Sequence, residues 1–172
     1  MNDAQALSQQ LDQLRFVSGD FPRHLHELRT RAADAKRAFR TISQIGISYP
    51  HSALSQTLGA LPGGAPKAGE RFPWLHLRMQ PNGPTEDLFQ TLDDTRFNLL
   101  VFGPAPATAP AEYGDLVRTY TIPLDPNKAD LDRVGITAPS FYLLRPDGHV
   151  GLCGPHAELP GVESYLARWL RA

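Results

Sequence analysis

Sulfur is scarce in this chain of 172 residues, in which Cys153 is the only cysteine. A single cysteine excludes an intramolecular disulfide and a cysteine-rich zinc site. It is typical of a reducing compartment, so we expect a cytoplasmic protein, with a bacterial periplasm as the open alternative. Cys153 falls late in the chain, on a strand or at its end, where we expect a small buried core residue. A reactive thiol would instead require that Cys153 be exposed beside a cationic group.

Long apolar runs and an excess of one charge are also missing. No run approaches the ~20 residues that cross a bilayer, so we expect no membrane span. Residues 1–5 have neither a basic start nor an apolar segment, and we therefore expect no signal peptide. Lys plus Arg number 17 against 18 for Asp plus Glu, so no overall charge attracts nucleic acid. The totals, 41% apolar and 20% charged, are those of an ordinary soluble globular protein.

Sequence motifs of the common catalytic centres are absent. The chain contains no G-x-G-x-x-G dinucleotide fingerprint, no H-E-x-x-H zinc pair and no G-x-S-x-G nucleophile elbow. His24 and His26 are two residues apart on a predicted helix, so they point in different directions. His149 and His156 flank Cys153, yet we favour surface or hydrogen-bonding roles for them over a metal site. We therefore predict no catalytic, cofactor-binding or metal-binding residue.

Two helices are predicted near the start of the chain. Apolar residues recur at three-and-four spacing over residues 3–17 and again over residues 22–42, where Leu25, Leu28 and Phe39 belong to the stripe. The short turn between the helices, with its Gly and Pro, favours an antiparallel hairpin. Two helices cannot enclose a core alone, so the stripes pack either against the rest of this chain or against another chain. Leu25, Leu28 and Phe39 are our candidates for such contacts.

Proline and glycine divide the chain into three parts. Residues 1–57 hold the helical hairpin and a connecting segment, residues 58–68 (LGALPGGAPKA) form a linker, and residues 69–172 form the main domain. The order of strands and helices in that domain predicts an α/β sandwich of thioredoxin type. The predicted elements are strands at residues 74–79, 97–102, 116–122, 140–144 and 149–153, a helix capped by Thr85, a helix at 128–134 and a final helix over 162–170.

Short motifs in this domain resemble a known superfamily. GERFPWLHL at residues 69–77, NLLVFG at 98–103 and GITAPSFYLLRPDGHVG at 135–151 resemble the two halves of thioredoxin-like proteins. The resemblance puts Pro139 where that superfamily has a cis proline, and it leaves open whether this bond is cis. Together with ISQIGISYPHSALSQ at residues 42–56, the motifs further resemble the C-terminal region of FAD-dependent aromatic monooxygenases, the phenol-hydroxylase-like flavoproteins.

The resemblance implies a thioredoxin-like domain without redox cysteines, whose full-length relatives bind FAD through a separate module. Redox-active relatives carry sulfur after the central strand, where this chain has GPAPAT at residues 103–108, so we expect no thiol chemistry. Because the G-x-G-x-x-G fingerprint is missing, we also expect no FAD site. By this analogy the chain is a non-catalytic interaction and assembly domain that forms a homodimer or binds a flavoprotein partner. Pro139, Asp147 and Gly148 are candidates for structural or interaction roles in it. The first alternative is a fragment or subunit of an FAD-dependent monooxygenase whose flavin module is on another chain. The second is a small-ligand binder with a cleft near Pro139.

Overall fold

The computed structural model describes residues 47–105, 113 and 115–169. The predicted helical hairpin, with Leu25, Leu28 and Phe39, lies outside the described residues. No helix in the described ranges is long and apolar enough to cross a membrane. The elements in chain order are β1 (Gln56–Thr57), β2 (His76–Arg78), β3 (Thr85–Asp87), α1 (Leu88–Thr91), β4 (Phe97–Phe102), β5 (Val117–Ile122), α2 (Lys128–Arg133), β6 (Ser140–Leu144), β7 (Val150–Pro155) and α3 (Gly161–Trp169).

Five of the described strands form one mixed sheet in the order β1-β7-β6-β4-β5. β4 pairs in parallel with β5 and antiparallel with β6. β7 pairs antiparallel with β6 and in parallel with β1. β2 and β3 form a second, two-stranded antiparallel sheet. The predicted α/β class is therefore confirmed.

β4 lies in the middle of the sheet, as its sequence predicts. Its residues from Asn98 to Phe102 are all buried, because both faces of the sheet are covered. Leu100 and Phe102 enter one hydrophobic cluster, whereas Leu99 and Val101 enter another. This division follows from the alternation of side chains along a strand. The predicted strand at residues 97–102 agrees with the structure at both ends.

Two hydrophobic cores cover the faces of the sheet. The first contains an aromatic group of Phe72, Phe102 and Tyr142, in which the rings of Phe72 and Tyr142 lie 5.2 Å apart. The second lies beneath α3, whose Val162 and Leu166 are buried against β4, β6 and β7. Burial of each large apolar side chain contributes about 1.5–3 kcal/mol, so these two clusters hold the described domain together.

The structure corrects the prediction around Thr85. Thr85 does not cap a helix, because residues 85–87 form strand β3. Asp87 is the N-cap instead, and its Oδ1 accepts a hydrogen bond from the backbone N–H of Phe89 at 2.9 Å. Threonine and aspartate are both good N-caps, and pairing of Thr85 with Arg78 decides between them. The last hairpin strand also differs from its prediction, since it runs from Val150 to Pro155.

The Pro/Gly-rich segment at residues 58–68 packs against the sheet domain. Ala65 and Ala68 are buried within it. A Cβ atom on Gly135, whose φ is +75°, would lie 2.4 Å from the carbonyl carbon of Gly64, so the two backbones touch. β1 adds residues 56–57 to the edge of the sheet. Such packing differs from that of a free linker, and the division of the chain at residues 57 and 68 stays a prediction.

Candidate functional site

The turn between β6 and β7 carries two of the predicted structural residues, Asp147 and Gly148. The N–H of Arg145 donates to the carbonyl of His149, and the N–H of Gly148 donates to the carbonyl of Arg145, both at 2.9 Å. The φ of Gly148 is +78°, which only glycine adopts without strain. Asp147 Oδ1 accepts from the backbone N–H of His149 at 3.1 Å. The sequence Arg-Pro-Asp-Gly therefore forms the tight turn that it predicts.

Asp147 is the electrostatic centre of this turn. Its carboxylate also forms an ion pair with the guanidinium of Arg145. Burial by itself raises the pKa of the Asp147 carboxyl, but the His149 N–H bond and the Arg145 charge outweigh it, and the pKa lies below its usual value. The carboxylate is therefore held in its ionised, structural form.

A shallow cleft of about 210 Å³ adjoins the turn. Phe89 forms part of its wall, and a Cβ on Gly148 would lie 3.2 Å from the ring atom Cε1 of Phe89. The guanidinium carbon of Arg71 is 6.0 Å from the centroid of the same ring. Sites for drug-sized ligands measure about 300–1,000 Å³, so this cleft is smaller than such a site. The lining also includes Leu92, Asp93, Asp94, Asn98, Leu144, Arg145, Pro146 and Asp147.

Pro139 lies at the opposite end of β6 from Asp147. A Cβ on Gly103 would lie 3.2 Å from Cβ of Pro139, so the end of β4 and Pro139 are neighbours. His156 joins them, because its N–H donates to the carbonyl of Pro139 at 3.1 Å and its Nε2 lies 3.0 Å from the carbonyl oxygen of Pro104. The peptide bond before Pro139 is trans, since no cis bond occurs in the described ranges. Pro139 is absent from the cleft beside the turn and from a second cleft of about 170 Å³ next to α2.

Cys153 is fully buried in β7, as predicted for a core residue. Its sulfur lies 3.4 Å from the hydroxyl oxygen of Thr57 on β1. Burial raises the pKa of the Cys153 thiol, so the nucleophilic thiolate is disfavoured. Cys153 therefore has neither the exposure nor the electrostatics of a reactive thiol.

His149 is a buried polar residue whose role the sequence does not reveal. It is 8% exposed, and its ring packs against Tyr49 with centroids 5.3 Å apart. Its Nδ1 lies 3.3 Å from Asp147 Oδ1, but neither ring nitrogen has a hydrogen bond of good geometry in the described structure. Among the described residues, no three His, Cys, Asp or Glu side chains lie close enough together to hold a metal ion. The imidazole ring of His149 therefore contributes mainly packing contacts, between the side chain of Tyr49 and the β6–β7 turn.

Exposed aromatic and edge residues are further features that the sequence analysis missed. Trp74 is 58% exposed, and its ring lies 4.3 Å from that of His76 in an edge-on arrangement. On β5, the guanidinium carbon of Arg118 lies 5.6 Å from the ring centroid of Tyr120. A hydrophobic pattern identifies buried positions, and it carries no signal for aromatic residues that remain at the surface.

Residues 65–172 are similar in sequence to a known protein family. A family model described as the C-terminal part of aromatic-ring hydroxylases matches residues 65–172. The chain belongs to this family. The aromatic-ring hydroxylase C-terminal domain thus comprises β2 to α3, together with residues 65–75 that precede β2.

The hydroxylase domain is also similar to part of a solved flavoprotein structure. The match is to the crystal structure of the flavin-dependent monooxygenase PieE in complex with FAD and substrate. The sequence identity to this chain is 20%, and the TM-score is 0.43. The match covers 64% of this chain and 24% of the PieE chain, so this chain corresponds to about a quarter of that protein. No curated protein matches the sequence.

The one described α-helix that directly follows a strand, α1, does not have the N-terminus that an FAD pyrophosphate needs. A dinucleotide site needs a Gly-rich turn that leads from a strand to a helix N-terminus facing the pyrophosphate. α1 follows β3 directly, but the carboxylate of Asp87 occupies its N-terminus. A carboxylate in that position repels a pyrophosphate. We therefore assign no step of flavin chemistry to these residues.

Proposed function

We propose that this chain is a non-catalytic, thioredoxin-like assembly domain of an FAD-dependent aromatic hydroxylase. Its family membership supports the hydroxylase part of the proposal, because the matching model describes the C-terminal part of such enzymes. The mixed sheet, with parallel β4 and β5 beside the antiparallel pair β6 and β7, supports the thioredoxin-like part. Its one cysteine, fully buried, agrees with a cytoplasmic location.

The observation that carries the proposal is the contact between Pro139 and the end of β4. Redox-active thioredoxin-like proteins place sulfur directly after the central strand and near the proline that precedes the next strand. Among the described residues that directly follow β4, Gly103 lies beside Pro139 and Pro104 beside His156, and neither Gly103 nor Pro104 has a nucleophilic side chain. The ring of His156 lies against the carbonyl oxygen of Pro104, where a redox protein would keep an accessible thiol. The position is thus used for packing and hydrogen bonding.

The titratable groups of the turn support a structural role as well. Asp147 is paired with Arg145 and holds the N–H of His149, which leaves it no proton to transfer near neutral pH. Asp93 is similarly engaged, because its Oδ1 accepts from the hydroxyl of Thr95 at 2.6 Å. General acid–base catalysis needs a group whose pKa lies near the working pH. The pKa values of the Asp93 and Asp147 carboxyls are instead lowered, which moves them further from neutral pH.

A second candidate function is a subunit of an FAD-dependent monooxygenase whose flavin module is on another chain. The family model supports it, because a C-terminal part implies a preceding part. In this case the chain alone is inactive and becomes part of an active enzyme when the flavin module is added. The two candidates differ only in whether the assembled complex requires this chain for turnover.

Purification of the full chain with and without FAD tests the proposal. We expect colourless protein after incubation with FAD and gel filtration, no disulfide reductase activity, and either a dimer or a complex with an aromatic-hydroxylase flavin module in light scattering. A yellow protein with flavin absorbance, or thiol-dependent turnover by this chain alone, would contradict the proposal. So would a strict monomer that binds no flavin module. Restoration of NAD(P)H-dependent hydroxylation only when both chains are present would favour the second candidate.

A further inference from the structure

β5 forms one edge of the main sheet in the described structure. It pairs with β4 on one side, and no described strand pairs with its other side. The N–H of Phe97 donates to the carbonyl of Leu116 at 2.9 Å, and the N–H of Gly103 donates to the carbonyl of Ile122 at 3.0 Å. The carbonyls of Leu116 and Ile122 therefore point towards β4. Since backbone groups alternate in direction along a strand, Val117, Thr119 and Thr121 direct their N–H and C=O groups away from β4.

This edge has few of the features that keep sheet edges apart. Proteins protect such edges with proline, lysine, bulges or very short strands. β5 (VRTYTI) has six residues, no proline and no lysine, and it pairs with β4 without a register shift. Arg118 is its only charged residue. β1 at the opposite edge is only two residues long. The two edges thus differ, and β5 is the one suited to pair with another strand.

The sequence of β5 is complementary to itself in one register. If a second copy lies antiparallel with the two-fold axis at Thr119, then Thr119 faces Thr119 of that copy, and Val117 faces Thr121. All these residues direct their backbone groups outward, so each outward N–H and C=O gains a partner. A shift of one residue would place outward groups opposite residues already bonded to β4. A shift of two residues would leave either Val117 or Thr121, depending on its direction, without a partner on β5.

Side chains agree with this register. Arg118 faces Tyr120 of the second copy, in the non-hydrogen-bonded pairs where side chains approach each other most closely. No like charges face each other, because Arg118 never lies opposite Arg118. The guanidinium of Arg118 already lies over the Tyr120 ring of its own chain, at 5.6 Å from the centroid. In a pair of copies each cation can contact two rings, and opposed threonines add a favourable cross-strand contact.

We propose that two copies of this chain join through their β5 edges, antiparallel and centred on Thr119, to form one continuous sheet across the two-fold axis. Such an interface is isologous, with the same residues on both sides. The inference rests on the proposed assembly function and names its surface and partner. A β-strand of a flavin module would be the competing occupant of the same edge.

Charge substitutions at Thr119 test the register directly, because this residue faces itself. We expect the full-length wild type to have twice the chain mass of 19.0 kDa in light scattering. Thr119→Lys and Thr119→Glu should each have the mass of one chain at the same concentration, because like charges meet on the axis. An equimolar mixture of these two variants should recover the dimer. Thr85→Lys, on the exposed strand β3, is the matched control and should stay dimeric.

The outcomes separate this inference from the proposed function. Circular dichroism and thermal unfolding first establish that each variant is folded. A wild-type dimer that survives Thr119→Lys, or variants that do not recover a dimer when mixed, would overturn the β5 interface while assembly itself stands. A monomer that binds a flavin module would overturn the inference and support the proposed function. A monomer that binds neither would overturn both.

Discussion

The indole N–H of Trp74 donates a hydrogen bond to Asp87, with 2.9 Å between Nε1 and Oδ2. The other carboxylate oxygen of Asp87 caps α1 through the N–H of Phe89. One carboxylate thus fixes an exposed aromatic ring and the start of a helix. The hydrogen bond restricts the rotamers of the Trp74 side chain although most of its ring is exposed.

Removal of this carboxylate should weaken the fold measurably. We expect Asp87→Ala to lower the free energy of unfolding by about 1 kcal/mol, since both the cap and the indole bond are lost. Asp87→Asn should lose less, because an amide oxygen still caps the helix. Urea denaturation followed by circular dichroism measures both, with Asp94→Ala at an exposed position as the control. Equal stabilities of Asp87→Ala and Asp94→Ala would show that the Asp87 bonds contribute nothing.

Gly148 should be sensitive to substitution and Gly63 should not. Gly148 has φ +78° and faces Phe89, whereas a Cβ on Gly63 meets nothing within 4 Å. We expect Gly148→Ala to lower the free energy of unfolding by about 1–2 kcal/mol, the cost of the left-handed conformation for a residue with a side chain. Thermal unfolding of the two alanine variants gives the comparison. Equal melting temperatures would contradict the left-handed conformation of Gly148 and its close approach to Phe89.

The charge of Asp147 should stabilise the protein in a pH-dependent way. Because the pKa of this carboxyl is lower in the folded chain than in the unfolded chain, ionised Asp147 stabilises the fold above about pH 4, and the contribution is lost as the pH falls through the folded pKa. Asp147→Asn should therefore be less stable than the wild type near neutral pH, with a difference that shrinks in acid. Denaturation across a pH series checks this, with Asp115→Asn at an exposed turn as the control. A difference that is constant with pH would contradict the assignment.

Cys153 should resist thiol reagents while the protein is folded. It is fully buried, and burial raises its pKa. We expect a colorimetric disulfide reagent to leave the native protein unlabelled and to label one thiol per chain after addition of guanidinium. Labelling of the native protein at the rate of a free cysteine would contradict the buried position.

The sequence predicts those parts of the fold that follow from continuous burial or from turn chemistry. β4 is predictable because every one of its residues from 98 to 102 is covered, and the β6–β7 turn because Pro, Asp and Gly each have a defined place in it. β1 is not predictable, because its two exposed residues owe their strand geometry to β7 alone. The prediction of Thr85 as an N-cap is wrong because threonine is favoured both at helix N-caps and in strands.

The candidate site also contains features that the sequence predicts and features that it does not. The motif resemblance assigns Pro139 to the position before a strand, but it does not predict the contact with residue 103, because the two positions lie far apart in the sequence. The burial of His149 against Tyr49 depends on two segments about a hundred residues apart, and periodicity has no signal at that separation. The outward direction of Thr119 on β5 requires the hydrogen-bond register with β4, which only coordinates supply.

The burial of Cys153 has a consequence for any assembly that this chain makes. The only sulfhydryl sits inside the domain against Thr57, out of reach of a neighbouring molecule. No disulfide between two copies can form while the protein is folded, so any assembly of this chain is held by non-covalent contacts alone. The extent of such assembly follows the concentration of the protein by mass action, without a contribution from the redox state of Cys153.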